Sequence, residues 1–205
     1  MESYVTVLKR SYFEYEDRKS VFIGEALPVS NEQEALNFID SIKKKYPDAR
    51  HHVYAYILRE NSIMRFSDDG EPQGTAGMPV LDVIRKNGII DIAVVVTRYF
   101  GGTLLGTGGL VKAYTSAAVG AIENAKIITY DIYTEIALEV SYSDYQKLTP
   151  IFSDYGFRIG NTRFTEKVEL SGTVKKTSSE VFIDKLVQTT SGRVKIEIIG
   201  EKFDF

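Results

Sequence analysis

Cysteine is absent from all 205 residues. Its absence excludes a disulfide framework, a thiolate metal site and a cysteine nucleophile, and it fits a reducing compartment. Histidine is nearly as scarce, with His51 and His52 alone. Neighbours on a strand point to opposite faces, so the two cannot ligate one metal, and any Ser–His–Asp system must use one of them. No G-x-S-x-G or H-E-x-x-H motif is present, which leaves hydrolase chemistry poorly supported. Long hydrophobic runs are missing as well, since none approaches the roughly 20 residues that span a bilayer. The opening Met1-Glu2-Ser3-Tyr4-Val5-Thr6 lacks the basic and then apolar character of a secretory signal. These absences lead to the expectation of a soluble cytoplasmic protein with no membrane partner.

A basic excess is lacking too. The net charge is −3, with 15 Lys+Arg against 16 Asp+Glu in residues 1–130 and 10 against 12 in residues 131–205. Bulk capture of a phosphate backbone is thereby excluded, so any nucleic-acid contact must be a local patch. What is present is ordinary globular material, 43% hydrophobic and 26% charged, in a chain long enough for two compact domains.

Two strands, Val5–Tyr15 and Ser20–Val29, are predicted to form a hairpin about the charged turn Glu16-Asp17-Arg18-Lys19. Ser30 or Asn31 caps a helix with Glu34 placed for a capping box, and Pro47 stops it. His51–Leu58 alternates, with Val53, Ala55 and Ile57 on one face and His52, Tyr54, Tyr56 and Leu58 on the other. A short strand at Ile63–Phe66, a turn-rich Ser67–Gly77 stretch and a helix at Pro79–Lys86 follow. The β-branched Ile92–Thr97 reads as a buried strand, emptying into a Gly-rich stretch before a helix at Leu110–Asn124. From Tyr133 the order is strand Glu135–Val140, helix Asp144–Asp154, strands Arg158–Phe164 and Lys167–Val174, helix Ser178–Thr189 and strand Val194–Ile199. That βαββαβ order is the split-βαβ, ferredoxin-like plan. Domains at 1–130 and 131–205, joined through Lys126–Tyr133, are the expected division of an α+β protein.

The strongest local feature is Arg98-Tyr99-Phe100-Gly101-Gly102-Thr103-Leu104-Leu105-Gly106-Thr107-Gly108-Gly109-Leu110-Val111-Lys112. Its five glycines permit close backbone approach, and the N–H groups of the following helix, with Arg98 and Lys112, suit an anion. No Gly-Lys-Ser/Thr follows, so it is no Walker A loop, and Val111 stands where a dinucleotide fingerprint needs its last glycine. The competing reading is tight strand–helix packing. Arg98 follows a buried strand, where a charge needs a reason. The second feature, Ser67-Asp68-Asp69-Gly70-Glu71-Pro72-Gln73-Gly74-Thr75-Ala76-Gly77, carries three carboxylates in four positions. They lack the spacing of a calcium loop, and their simpler use is structural, pairing with Arg98 or Arg65 while Thr75 supports the loop. No metal or cofactor is expected. His52, Tyr54 and Tyr56 form a stripe that either stacks on bases or packs under another element. Lys43-Lys44-Lys45 reads as a solvated helix end.

Phe66-Ser67-Asp68-Asp69-Gly70-Glu71-Pro72-x-Gly74-Thr75-Ala76-Gly77-x-Pro79, followed by Val95-Val96-Thr97-Arg98-Tyr99-Phe100-Gly101-Gly102-x-x-Leu105-Gly106-Thr107-Gly108-Gly109-Leu110-Val111-Lys112-Ala113-Tyr114, resembles the signature of the IMPACT family and its bacterial YigZ-like branch. The resemblance implies an N-terminal α/β sandwich of the type shared by a small-subunit ribosomal protein and domain IV of elongation factor G. It also implies a C-terminal ferredoxin-like domain similar to that factor's last domain. Eukaryotic relatives are translation regulators that act partly through an RWD domain with no counterpart in these residues, so their partner-protein mechanism does not carry over. The expectation is a translation-associated protein that binds RNA or the ribosome through Arg98, Tyr99, Phe100, Gly101, Gly102, Gly106, Gly108, Gly109 and Lys112. The alternative is an enzyme acting on a small phosphorylated or nucleotide ligand, with Mg²⁺ held by Asp68, Asp69 and Glu71; no catalytic residue and no oligomeric state are specified.

Overall fold

The computed structural model describes Ser3–Phe205. Along the chain run β1 (Tyr4–Val7), β2 (Ser11–Asp17), β3 (Ser20–Pro28), α1 (Glu32–Lys45), β4 (His51–Leu58), β5 (Ile63–Ser67), α2 (Gly77–Lys86), β6 (Ile92–Tyr99) and α3 (Gly106–Asn124). They continue as β7 (Ile127–Val140), α4 (Tyr142–Asp154), β8 (Arg158–Phe164), β9 (Val168–Lys175), α5 (Lys176–Thr189) and β10 (Lys195–Asp204). The chain divides into two compact units, Tyr4–Thr129 and Tyr130–Phe205, the latter also taking in Ser3. The α+β class expected from the residues is the class observed.

In the first unit the sheet order is β2-β3-β6-β4-β5, with every neighbouring pair antiparallel. The β2–β3 hairpin closes through Arg18 and Lys19, whose φ values of 46° and 65° are both left-handed. That pairing of positive φ values matches the twist of the flanking strands. β6 explains its own apolar run. Ile92, Val94 and Val96 pack with α2 and α3 on one face, while Ala93 and Val95 pack with α1 on the other. A central strand covered on both faces has no solvent side to mark with polar residues. The small residues of α3 let it lie close, since a Cβ on Gly24 of β3 would stand 2.3 Å from the Ala117 carbonyl oxygen. Asn31 caps α1 by accepting from the Glu34 N–H at 2.9 Å, and Glu34 reaches back to the Ser30 N–H at 2.8 Å.

In the second unit the order β10-β7-β9-β8 is antiparallel throughout. It realises the split-βαβ plan, with α4 and α5 contributing Leu148, Phe152, Phe182 and Leu186 to the core over Ile136, Leu138, Leu170 and Val174.

Several expected boundaries are corrected. The first strand breaks at Leu8–Arg10, where the Leu8 and Lys9 N–H groups turn to the Ala125 carbonyl instead of a ladder. α3 starts at Gly106, four residues before the expected Leu110, so three of the glycines belong to its first turn. The expected join at Lys126–Tyr133 is mostly strand, because β7 begins at Ile127.

Candidate functional site

The alternation of β6 directs Arg98 to the face shared with Val94 and Val96. There it stands between Phe22 of β3 and His51 of β4 in the register. A guanidinium so placed needs a carboxylate, and the β5–α2 loop supplies Glu71. Arg98 Nη1 donates to Glu71 Oε1 at 2.6 Å, and both residues are buried. From α3, the Tyr114 hydroxyl donates to the same oxygen at 2.8 Å. His51 Nε2 lies 3.9 Å from it. Burial raises the Tyr114 hydroxyl pKa, and the charge of Glu71 raises it further, so the phenol stays a donor. Rings of Phe22 and Phe100 lie 5.4 and 5.5 Å from the guanidinium carbon. Arg98 Nε is buried without a hydrogen-bond partner among the described residues.

The acidic loop is folded by its own carboxylates. Asp68 Oδ1 accepts from the Ala76 and Gly77 N–H groups at 3.1 and 2.8 Å, and Oδ2 from Gly74 at 2.9 Å. It thus supplies the acceptor that α2 lacks at its N-cap residue, Ala76. Asp69 accepts from the His52 N–H at 2.6 Å, while its carbonyl oxygen lies 2.8 Å from His51 Nδ1. Thr75 donates to the Pro72 carbonyl at 2.7 Å. Of the two expected cationic partners, Arg98 takes Glu71, whereas Arg65 donates to the Met64 carbonyl. Among the described residues no group of three or more metal-ligating side chains stands ready for an ion.

The Gly-rich segment therefore separates into two parts. Arg98 lies inside, so its expected contact with phosphate is corrected to a structural pairing with Glu71. The outer part is the Phe100–Leu105 loop and the start of α3. Phe100 is 47% and Leu104 82% exposed, and Gly106, Thr107, Gly108 and Lys112 are exposed beside them. Leu105, at the N-cap, offers no side-chain hydrogen bond to the first turn. Tyr99 is half-buried, and Gly102 sits exposed at the loop's turn. Gly101 is needed for packing, because a Cβ there would stand 2.1 Å from the Lys19 carbonyl carbon. Gly109 abuts Leu105 in the same way, at 2.9 Å. Gly108 has neither reason, since a Cβ would meet nothing within 4 Å and its φ is not positive.

His52, Tyr54 and Tyr56 do not form a stacking surface. His52 and Tyr56 are buried on the α1 side, with His52 Nε2 against the Tyr46 carbonyl oxygen at 3.0 Å and the Tyr56 hydroxyl donating to Glu32 at 2.7 Å. Tyr54 stacks on Tyr56 with ring centroids 6.2 Å apart. The Lys43–Lys45 run is not merely solvated either, because Lys45 reaches buried Glu25 at 2.8 Å alongside Arg10 at 2.6 Å. Burial pushes the Glu25 carboxyl up, but hydrogen bonds from Lys45, Arg10 and Tyr46 outweigh it and hold the pKa below the usual range. The reading of the residues missed Tyr114 and His51 as members of the Glu71 cluster. For His51 the signal was its alternation with Val53, which faces the same core.

Known proteins resemble this chain across both units. The sequence model of the Impact N-terminal domain matches residues 18–122, and that of a domain of unknown function (DUF1949) matches residues 138–193. IMPACT family member YvyE of Bacillus subtilis is 34% identical over 198 residues, covering 96% of this chain and 91% of its own. IMPACT family member YigZ of Escherichia coli is 33% identical over 189 residues, covering 91% and 93%. A solved structure described as the crystal structure of an hypothetical protein superposes with a TM-score of 0.61 at 32% identity, over 97% of this chain and 98% of that one. With the Glu71–Arg98 motif pair in place and relatives matched over nearly the whole length, this chain belongs to the IMPACT family.

Proposed function

We propose that this protein is a translation-associated factor that binds RNA or the ribosome through the tip formed by Phe100–Leu105 and the first turns of α3. Family membership supports the translation-related setting. The observation that carries the binding surface is Gly108. Glycine inside a helix costs about 1 kcal/mol relative to alanine, and here neither packing nor backbone conformation requires it. Its bare backbone lies in the first turn of a 19-residue helix whose N-cap residue leaves the leading N–H groups unfilled. Those groups carry roughly half a positive charge, which suits a phosphate oxygen. Lys112 adds a full charge, and exposed Phe100 offers a ring to a base. With Arg98 withdrawn into the fold, few phosphate contacts remain, and the salt dependence of binding is correspondingly shallow.

The metal limb of the small-ligand enzyme reading has less support, because Asp68, Asp69 and Glu71 each accept hydrogen bonds from the fold. The deciding experiment is co-sedimentation with ribosomes and separated subunits at low and moderate salt. Wild type is compared with Gly108→Glu and Lys112→Glu, both exposed positions that leave the buried cluster intact. Retention by one subunit, lost in both variants while their melting temperatures hold, supports the reading. Absence of co-sedimentation at any salt, together with failure to bind a labelled single-stranded RNA, ends it.

A further inference from the structure

β5 is an edge of the first unit's sheet, paired among the described residues with β4 alone. None of its five residues is buried, and Met64 and Phe66 are 49% and 40% exposed. Natural sheets blunt such edges, because an open row of backbone groups is a template for another strand. Here the register sorts the side chains. Met64 stands opposite Ile57 and Phe66 opposite Ala55, on the face that carries α2; Arg65 stands opposite Tyr56, on the face that carries α1. α2 covers only part of the apolar row. Gly77 draws close to the Ser67 backbone and the Phe66 ring, at 2.7 and 2.9 Å from a would-be Cβ, and the outer sides stay open. Arg65 has no carboxylate among the described residues; its Nη1 donates to the carbonyl of its own neighbour Met64 at 3.0 Å.

We propose that β5 accepts an extended peptide segment of a partner protein as an added strand, with an acidic residue beside Arg65 and apolar residues on either side of it. Main-chain hydrogen bonds give such a strand its hold, and alternate side chains give it selectivity. The carboxylate replaces the Met64 carbonyl as the acceptor of Arg65. The flanking apolar residues extend the Met64–Phe66 row on the opposite face, as the two-residue period requires. Charge decides between occupants. A second copy pairing β5 with β5 antiparallel about Arg65 would set two guanidinium groups side by side, an unfavourable arrangement. Five residues provide a short ladder, so the association is weak and its register depends on the ion pair.

The test is fluorescence anisotropy with a labelled, capped pentapeptide Thr-Val-Glu-Val-Thr and its counterpart with lysine in the central position. Wild type binds the glutamate probe and prefers it to the lysine probe by on the order of tenfold. Arg65→Glu reverses that preference, and Met64→Lys weakens both probes while circular dichroism shows the fold retained. The proposal is overturned if neither probe binds wild type at millimolar concentration, or if Arg65→Glu leaves the preference unchanged. It is also overturned if sedimentation shows wild type self-associating through a contact that Arg65→Glu abolishes, which would give the edge to a second copy.

Discussion

Arg98 and Glu71 form an ion pair whose side chains are 7% and 4% exposed, with Nη1 and Oε1 2.6 Å apart. The pair joins the end of β6 to the β5–α2 loop, and the Tyr114 hydroxyl ties the same oxygen to α3. The end of β6, the β5–α2 loop and α3 thus meet on one carboxylate. The cluster fastens the base of the Gly-rich tip while leaving the tip exposed.

Removing one partner of a buried pair leaves the other as an uncompensated charge, at about 3–5 kcal/mol. Arg98→Ala and Glu71→Gln are therefore expected to lower unfolding stability by that amount in urea titrations. Tyr114→Phe removes one hydrogen bond and leaves the pair, for a loss of about 1–2 kcal/mol. If Arg98→Ala unfolds at the wild-type urea midpoint, the fastening role is wrong.

Asp68 serves the backbone of its own loop. Asp68→Ala strips acceptors from Gly74, Ala76 and Gly77 and is expected to destabilise by about 1–2 kcal/mol, the range for losing a helix cap. Millimolar Mg²⁺ is expected to leave the melting temperature of wild type unchanged. A magnesium-dependent rise that disappears in Asp68→Ala would show that the loop holds the ion after all.

In the second unit, Arg193 donates to both carboxylate oxygens of buried Asp144, at 3.0 and 2.8 Å. These hydrogen bonds, outweighing the effect of burial, lower the Asp144 pKa from 3.8 to about 2. A depressed folded-state value means that the unfolded chain takes up the proton first as pH falls. The contribution is complete above 3.8 and is lost as pH drops through about 2. Acid unfolding of wild type and Asp144→Asn should therefore differ in slope within that window. Parallel curves there would count against the pairing.

Much of this was legible from the residues, for reasons that differ by element. β6 was clear because a β-branched run bounded by turns has few alternatives, and a charge at its end announced the need for a carboxylate. The start of α3 was obscured because Gly106, Gly108 and Gly109 read as loop on propensity, whereas Leu105 and Leu110, both packed into the core, hold that turn helical. The period-two stripe of His52, Tyr54 and Tyr56 was correctly sorted to one face. Whether α1 or solvent covers that face depends on where the preceding helix docks, and alternation carries no such information. Tyr114 sits two turns into an alanine-rich helix, where nothing local distinguishes a core tyrosine from one that completes a buried carboxylate's partners.

The glycines of the tip differ in whether packing requires them. A Cβ on Gly101 would overlap the backbone of Lys19 and Ser20, at 2.1 to 2.3 Å, in a turn whose residues already hold positive φ. Neither chain segment can give way cheaply, so Gly101→Ala is expected to destabilise by about 1–3 kcal/mol. Gly108→Ala meets nothing and should raise stability by up to about 1 kcal/mol through helix propensity alone. Under the proposed binding at the tip, a methyl group over the first turn of α3 would also hold a phosphate away from the N–H groups there. The expected result for Gly108→Ala is a more stable protein that binds ribosomes or RNA less well, measured by thermal melting and sedimentation on the same preparation. A gain in stability with undiminished binding would place the contact elsewhere and reduce the glycine to an accident of sequence.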